Sequence, residues 1–245
     1  MKMFLDSAKT EEIRHALEVW DIDGLTSNPK HVQNSGKPFY PLLEEIAALF
    51  AGTDKPVSVE VNPHLTDADE IVRAGLGLAK LSPNFVIKVG VGEAGLQAIR
   101  ELTARGVRTN ATLTFSVAQA WHAARSGASF VSPFLGWKET HGDAVDTLVT
   151  DIARMLKNGG YATQIIAAAI RNSCHIAEAA VAGAHCVTAG FTLYQESFRN
   201  PYTDMGNEVF AAAWDATHVE RESAKNGRTG RLATPRPAKR KQKNA

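Results

Sequence analysis

The chain has few cysteines and no long apolar run, and each shortage narrows what it can be. Cys174 and Cys186 are the only thiols in 245 residues, and their spacing suits neither a metal site nor a disulfide-stapled secreted fold. No stretch approaches the roughly 20 apolar residues of a membrane-spanning helix. "MKMFLDSAKT" runs directly into structure without the regions of a signal peptide. A cytoplasmic protein with no membrane contact is expected. The eight histidines lack His-x-x-x-His spacing; His15, His122 and His175 read as surface or helix-end residues, so no metal and no cofactor is expected. No GxGxxG follows the first apolar run, against a dinucleotide-binding open sheet.

Acids are missing from residues 224–245, which hold eight Lys or Arg; residues 1–223 keep 19 bases against 26 acids, a net of −7. The tail "NGRTGRLATPRPAKRKQKNA" has too few apolar groups to offset the entropy of ordering. It is expected to be a solvated, disordered extension of a single catalytic domain over 1–223. Contact with nucleic acid or another acidic surface is the alternative for the tail.

The body alternates short apolar runs with helical-period segments. "MFLD", "GLTS", "VSVEV", "FVIKV", "RTNATL", "FVSPF", "TQIIAAA" and "HCVTA" read as strands. Between them lie amphipathic stretches such as "TEEIRHALEVW", "YPLLEEIAALF" and "DADEIVRAGLGLAKL". Repeated β–α units imply parallel strands with right-handed crossovers, and eight of them close most simply into a (β/α)8 TIM barrel. "YQESFRNPYTDMGNEVFAAAWDATHVERESA" adds helices after the eighth strand.

Barrel enzymes carry their chemistry at the C-terminal ends of the strands. The apolar runs here end in or just before Asp6, Asn28, Glu60, Lys88, Asn110, Thr112, Ser132 and Arg171. A purely structural barrel has no need of that series. Desolvation at the end of an apolar strand favours the neutral form of Lys88, a nucleophile toward carbonyls. Schiff-base formation then requires a proton shuttle, which Glu60 can provide through a water held by Thr112. Asp6 remains as the base for a hydroxyl during C–C cleavage, and Asn28 and Asn110 suit substrate hydroxyls. A structural ion pair of Lys88 with Glu60 or Asp6 is the plainer reading.

The segments "MKMFLDSA", "DGLTSNP", "VSVEV", "PNFVIKV", "GVRTNATLTFSVAQAWHAARSGASFVSPFLG", "IIAAAIRN" and "NPYTDMG" resemble the transaldolase and fructose-6-phosphate aldolase family, in order, over roughly residues 1–218. The resemblance implies a Schiff base at Lys88, acid–base work by Asp6, and donor-sugar binding at Asn28. Glu60, Asn110 and Thr112 match the remaining catalytic positions. Glu60 and Phe134 resemble the transaldolases, where the aldolases tend to have glutamine and tyrosine. That favours dihydroxyacetone transfer over its release. A small-molecule sugar or sugar-phosphate substrate and a homo-oligomer are implied by the same analogy.

The pattern breaks at the phosphate end. Where the family resembles "SPFVGR", this chain reads "SPFLGW", so Trp137 stands for an arginine, and Ala169 for a serine before "IR". Ser132 and Arg171 remain, and Lys138 and His141 lie close enough in sequence to compensate. Trading a guanidinium fork for an indole removes a fixed charge and bidentate geometry. Two readings stay open: a rebuilt phosphate site, or a modified or unphosphorylated sugar packed against Trp137. A lyase releasing dihydroxyacetone and a non-catalytic sugar-binding barrel are the alternatives for function.

Overall fold

Eight parallel strands close on one another in chain order: β1 (Lys2–Asp6), β2 (Gly24–Thr26), β3 (Val57–Glu60), β4 (Phe85–Gly90), β5 (Thr109–Thr114), β6 (Phe130–Pro133), β7 (Gln164–Ala167) and β8 (Cys186–Ala189). β1 pairs with both β2 and β8, which closes the barrel. This computed structural model describes residues 1–142 and 147–217; the basic extension anticipated at 224–245 lies outside them.

The crossover helices are α1 (Thr10–Val19), α2 (Pro29–Ser35), α3 (Phe39–Phe50), α4 (Ala68–Ala79), α5 (Glu93–Ala104), α6 (Val117–Arg125), α7 (Leu135–Thr140), α8 (Leu148–Gly159) and α9 (Ser173–Val181). After β8 come α10 (Phe191–Ser197) and α11 (Pro201–Asp215). The (β/α)8 barrel expected from the alternation is the fold observed. Among the described residues, 1–199 form one compact unit and 200–217 belong to a second, in which α11 starts where the Asn200 side chain accepts the Tyr202 N–H at 2.9 Å. Periodicity does not predict α2 or α7, because seven and six residues are too few to display a stripe.

Strand alternation divides the core in two. Leu5, Val57, Val59, Ile87, Val131, Ile165 and Val187 pack outward with the helices, joined there by Ile13, Ile46 and Ile99. Phe4, Val86, Phe130, Ile166 and Cys186 form a separate cluster inside the barrel. Because side chains alternate along a strand, the inward position two residues beyond Phe4 is Asp6, and two beyond Val86 is Lys88. The floor of the barrel is therefore apolar, and the layer above it is polar. His15 packs on Trp20 and Phe191 at 5.2 and 5.3 Å between ring centroids. His175 takes the helix-end position among those expected, in the first turn of α9, but is buried there: it is 2% exposed, and Glu139 lies 3.2 Å from its Nε2.

Space inside the floor is matched closely to side-chain size. Gly24 stands beside Phe4 in the β1–β2 register, and a Cβ on it would lie 2.7 Å from the Phe4 ring. Burying a Phe contributes about 1.5–3 kcal/mol, so the absence of a side chain at 24 is what lets Phe4 fill the centre. Tyr194 ties α10 to this layer by donating its hydroxyl to the Phe4 carbonyl at 2.9 Å. Gly24→Ala overpacks the floor and is expected to cost about 1–3 kcal/mol, lowering Tm by several degrees in a thermal melt. An unchanged Tm would mean that Phe4 moves aside freely.

Candidate active site

Lys88 is held at the bottom of a cavity of about 500 Å³ at the C-terminal mouth of the barrel. Its register partner on β3 is Glu60, and Nζ lies 3.0 Å from Glu60 Oε2. Nζ also donates to the Ser27 carbonyl at 2.9 Å, and the residue is only 4% exposed. The ion pair named as the plainer reading is therefore present. Pairing does not exclude reactivity, since proton transfer from ammonium to carboxylate leaves a neutral amine beside a neutral acid.

Asp6, at the end of β1, lines the same cavity. Its Oδ1 accepts from Thr26 Oγ1 at 2.7 Å, and its Oδ2 lies 3.2 Å from His31 Nε2. Burial alone would push this carboxyl up. The His31 hydrogen bond and charge, the Lys88 charge and the Thr26 hydroxyl outweigh it and hold Asp6 below the usual carboxylate range. Asp6 is thus an anion facing a cavity that also contains an amine.

Asn28 caps α2: its side-chain oxygen accepts the His31 N–H at 3.0 Å, which leaves its NH2 for another acceptor. Asn28, Glu60, Ser132, Phe134, Trp137 and Arg171 all line the cavity with Asp6 and Lys88. Asn110 and Thr112 do not. Asn110 is fully buried one layer down, donating to Ser58 Oγ at 3.0 Å and accepting from Ser132 Oγ at 2.9 Å. Thr112 is also fully buried, and its Oγ1 has no protein hydrogen-bond partner. The β5–β6 register shifts between Ala111 and Thr114, and Leu113, at φ +58°, lines the cavity instead.

The cations at the cavity come from an unexpected place. Lys138 and His141 are not among the cavity-lining residues, and His141 Nδ1 sits 2.7 Å from the Trp137 carbonyl. Besides Lys88 and Arg171, the cavity is lined by Lys30 of α2, accompanied by His31 and Asn34. Sequence reasoning missed these three. The signal was their position directly after "TSNP", where a seven-residue helix turns them toward the mouth. Trp137 is 47% exposed and completes an aromatic wall with Phe134 and Phe115, at 5.6 and 6.2 Å between ring centroids.

Arg171 is positioned by a missing side chain. The Gly136 N–H donates to the Ala169 carbonyl at 3.0 Å, and a Cβ at 136 would lie 2.4 Å from Arg171 Cγ and 2.3 Å from that carbonyl. The Arg171 stem therefore crosses directly over the α7 backbone. Among the described residues, no group of three or more His, Cys, Asp and Glu side chains is arranged to hold a metal ion. No helix among them is long and apolar enough to cross a membrane.

A buried lysine beside a glutamate, an ionised aspartate across the cavity and a cationic rim suit carbonyl chemistry on an anionic sugar. The family model for transaldolase/fructose-6-phosphate aldolase matches residues 3–230. The chain belongs to this family. It is 53% identical over 221 residues to a 6-deoxy-6-sulfo-D-fructose transaldolase of Priestia megaterium, covering 90% of this chain and 98% of that one. Probable transaldolases of Herpetosiphon aurantiacus and Dictyoglomus turgidum are 42% and 41% identical, over 87% and 88% of this chain and 95% and 98% of theirs. Membership makes the chain a transaldolase-like enzyme.

Gly136→Ala displaces Arg171 and the Ala169 carbonyl beside it, away from Lys88 on β4. For this member of the family, KM for an anionic ketose is expected to rise roughly tenfold, the scale of one hydrogen-bonded charge. KM for a ketose without an anionic group should stay unchanged. Steady-state kinetics with both donors checks this, and equal losses for the two would refute the positioning role.

Proposed function

We propose that the protein transfers a dihydroxyacetone unit from a 6-deoxy-6-sulfo ketose to an aldehyde acceptor through a Schiff base at Lys88, without a metal. The observation that carries the proposal is the buried Lys88–Glu60 pair opening onto a cavity that Asp6 shares. Glu60 takes a proton from the lysine, and the free amine adds to the ketose C2. Loss of the C2 oxygen as water, protonated by Glu60 directly or through a water at Thr112 Oγ1, gives the iminium. The orphaned, buried Thr112 hydroxyl is the kind of group that holds such a water.

The iminium is an electron sink. Asp6 removes the proton from the C4 hydroxyl, the C3–C4 bond breaks, and its electron pair passes to C3 to form an enamine on Lys88. The carbon chain from C4 onward leaves as an aldehyde still carrying the sulfonate. The enamine then attacks the acceptor aldehyde, Asp6 returns the proton to the new alkoxide, and water hydrolyses the iminium to free Lys88. Phe134 and Trp137, with Phe115 packed against both, wall one side with apolar surface, which limits loss of the enamine to solvent protons and favours transfer over release.

The donor's charged group follows from the rim and from the relative's printed activity. A phosphate ester carries about −1.5 to −2 charges at pH 7, which suits two arginines. A sulfonate carries one, and it is joined to carbon without a bridging oxygen. Arg171, Lys30 and an indole face supply one guanidinium fork in place of two, a point-charge ammonium and more apolar surface, which suits the singly charged, less hydrogen-bond-demanding sulfonate. The sulfo ketose named for the Priestia megaterium relative is accordingly the donor proposed here.

Purified enzyme given 6-deoxy-6-sulfofructose and fructose 6-phosphate with a common aldehyde acceptor should use the sulfonate with the higher kcat/KM. Trp137→Arg should shift the ratio toward the phosphate by roughly tenfold or more, the value of one charge-assisted contact. A parent enzyme preferring the phosphate would refute the donor assignment. Lys88→Ala should have no activity on either donor, and residual turnover by it would refute the Schiff base.

A further inference from the structure

We infer that His31 is a positioning residue for the aldol step, holding Asp6 in place as the base and leaving Schiff-base formation to other groups. The inference rests on the proposed role of Asp6. Three observations lead to it. His31 Nε2 lies 3.2 Å from Asp6 Oδ2, while Thr26 Oγ1 engages Oδ1 at 2.7 Å, so the carboxylate is gripped at both oxygens and its plane is set. His31 is itself held, since its backbone N–H donates to Asn28 Oδ1 at 3.0 Å in the first turn of α2. The imidazole also lines the cavity rather than packing behind it, so its bond to Asp6 is made at the reaction chamber.

The consequence for catalysis is chemical. Asp6 must be ionised to accept the C4 hydroxyl proton and must release that proton to the alkoxide formed in the second half-reaction. A carboxylate withdrawn from water would favour its protonated form, which cannot begin cleavage. An imidazole N–H donated to Oδ2 opposes that tendency and makes the protonated acid readier to give its proton back. Both half-reactions then run through one group with a matched proton affinity.

Other charges surround the pair. On the cavity side these are Lys30 of the same helix, Glu60 of β3, Lys88 of β4 and Arg171 after β7. On the other side His31 and Asp6 share a cleft with Lys9 and Glu12 of α1, themselves paired at 3.1 Å. Tyr194, whose hydroxyl is pushed up mainly by burial and further by the Asp6 charge, lies beneath. Lys9 and Glu12 offset each other, while the Lys88 charge lowers Asp6 from across the cavity without touching it. Of the two side chains in direct contact with the Asp6 carboxylate, His31 and Thr26, His31 has the larger lowering effect and is the one whose removal Asp6 feels most.

Removing the donor lets burial prevail, so Asp6 protonates at higher pH. The acid limb of the transfer rate should move to higher pH in His31→Leu, and less far in His31→Gln, whose amide can still donate. At a fixed pH near neutrality kcat should fall roughly tenfold in His31→Leu, short of the roughly 10²–10⁴ lost when a general base is itself removed. Borohydride trapping of dihydroxyacetone at Lys88 needs no C–C cleavage, and its rate and pH profile should match the parent in both variants. A merely structural role for His31 would not separate these readouts.

Acid limbs superimposable on the parent in both variants would overturn the inference, as would trapping slowed as much as transfer. Thermal melts of both variants accompany the kinetics, and His31→Gln keeps the test open if His31→Leu fails to fold. Asp6→Asn distinguishes the underlying reading: it should retain trapping and lose transfer. If Asp6→Asn still transfers, the role of Asp6 fails whatever His31 does. If it fails to transfer while the His31 variants keep the parent's pH profile, only the inference about His31 falls.

Discussion

Glu60 and Lys88 face each other across adjacent parallel strands, and the polar half of the barrel is organised around the 3.0 Å contact between them. Both side chains point inward because each stands two residues along its strand from an inward neighbour, Ser58 in one case and Val86 in the other. Charges so deeply buried are tolerated only when paired and hydrogen-bonded, and removing one partner costs about 3–5 kcal/mol. The Ser27 carbonyl satisfies a further proton of the ammonium. The same enclosure makes the pair useful, because a proton that crosses from nitrogen to oxygen leaves no net charge behind. Ion pair and nucleophile are two protonation states of one arrangement.

Around this pair the cavity divides by charge and polarity. The reacting end is closed and carboxylate-rich, with Asp6 held low by His31, Lys88 and Thr26 against the effect of burial. The far end mixes Lys30, Asn34 and Arg171 with the aromatic faces of Phe134 and Trp137. Gly136, having no side chain, leaves room for the Arg171 stem to pass against α7. On the proposed mechanism reactivity is set by strand residues, whose positions the barrel's register dictates. Selectivity is set by α2, α7 and the loop after β7.

That division also explains what was legible in the sequence. The eight strands were readable because parallel strands covered on both faces appear as unbroken apolar runs such as "FVIKV". Asp6, Glu60 and Lys88 stood out as charges at the ends of those runs. On β5 the expected Asn110 and Thr112 are fully buried outside the cavity lining, and Leu113, at the register shift between Ala111 and Thr114, lines the cavity instead. No periodicity announces a bulge. Lys138 and His141 were reasonable candidates for replacing a lost charge by proximity in the chain, yet Lys30 lines the cavity because α2 folds over the mouth. His31 escaped notice for the same reason: its partner Asp6 is 25 positions away, and only closure of the first β–α unit brings the two together.

The measurement closest to the central claim is borohydride reduction of the enzyme during turnover with a sulfonated ketose, followed by peptide mass mapping. The account predicts one added reduced dihydroxyacetone unit, on the peptide containing Lys88, with no sulfur in the adduct after cleavage is complete. An adduct on another lysine, or none during active turnover, would contradict it.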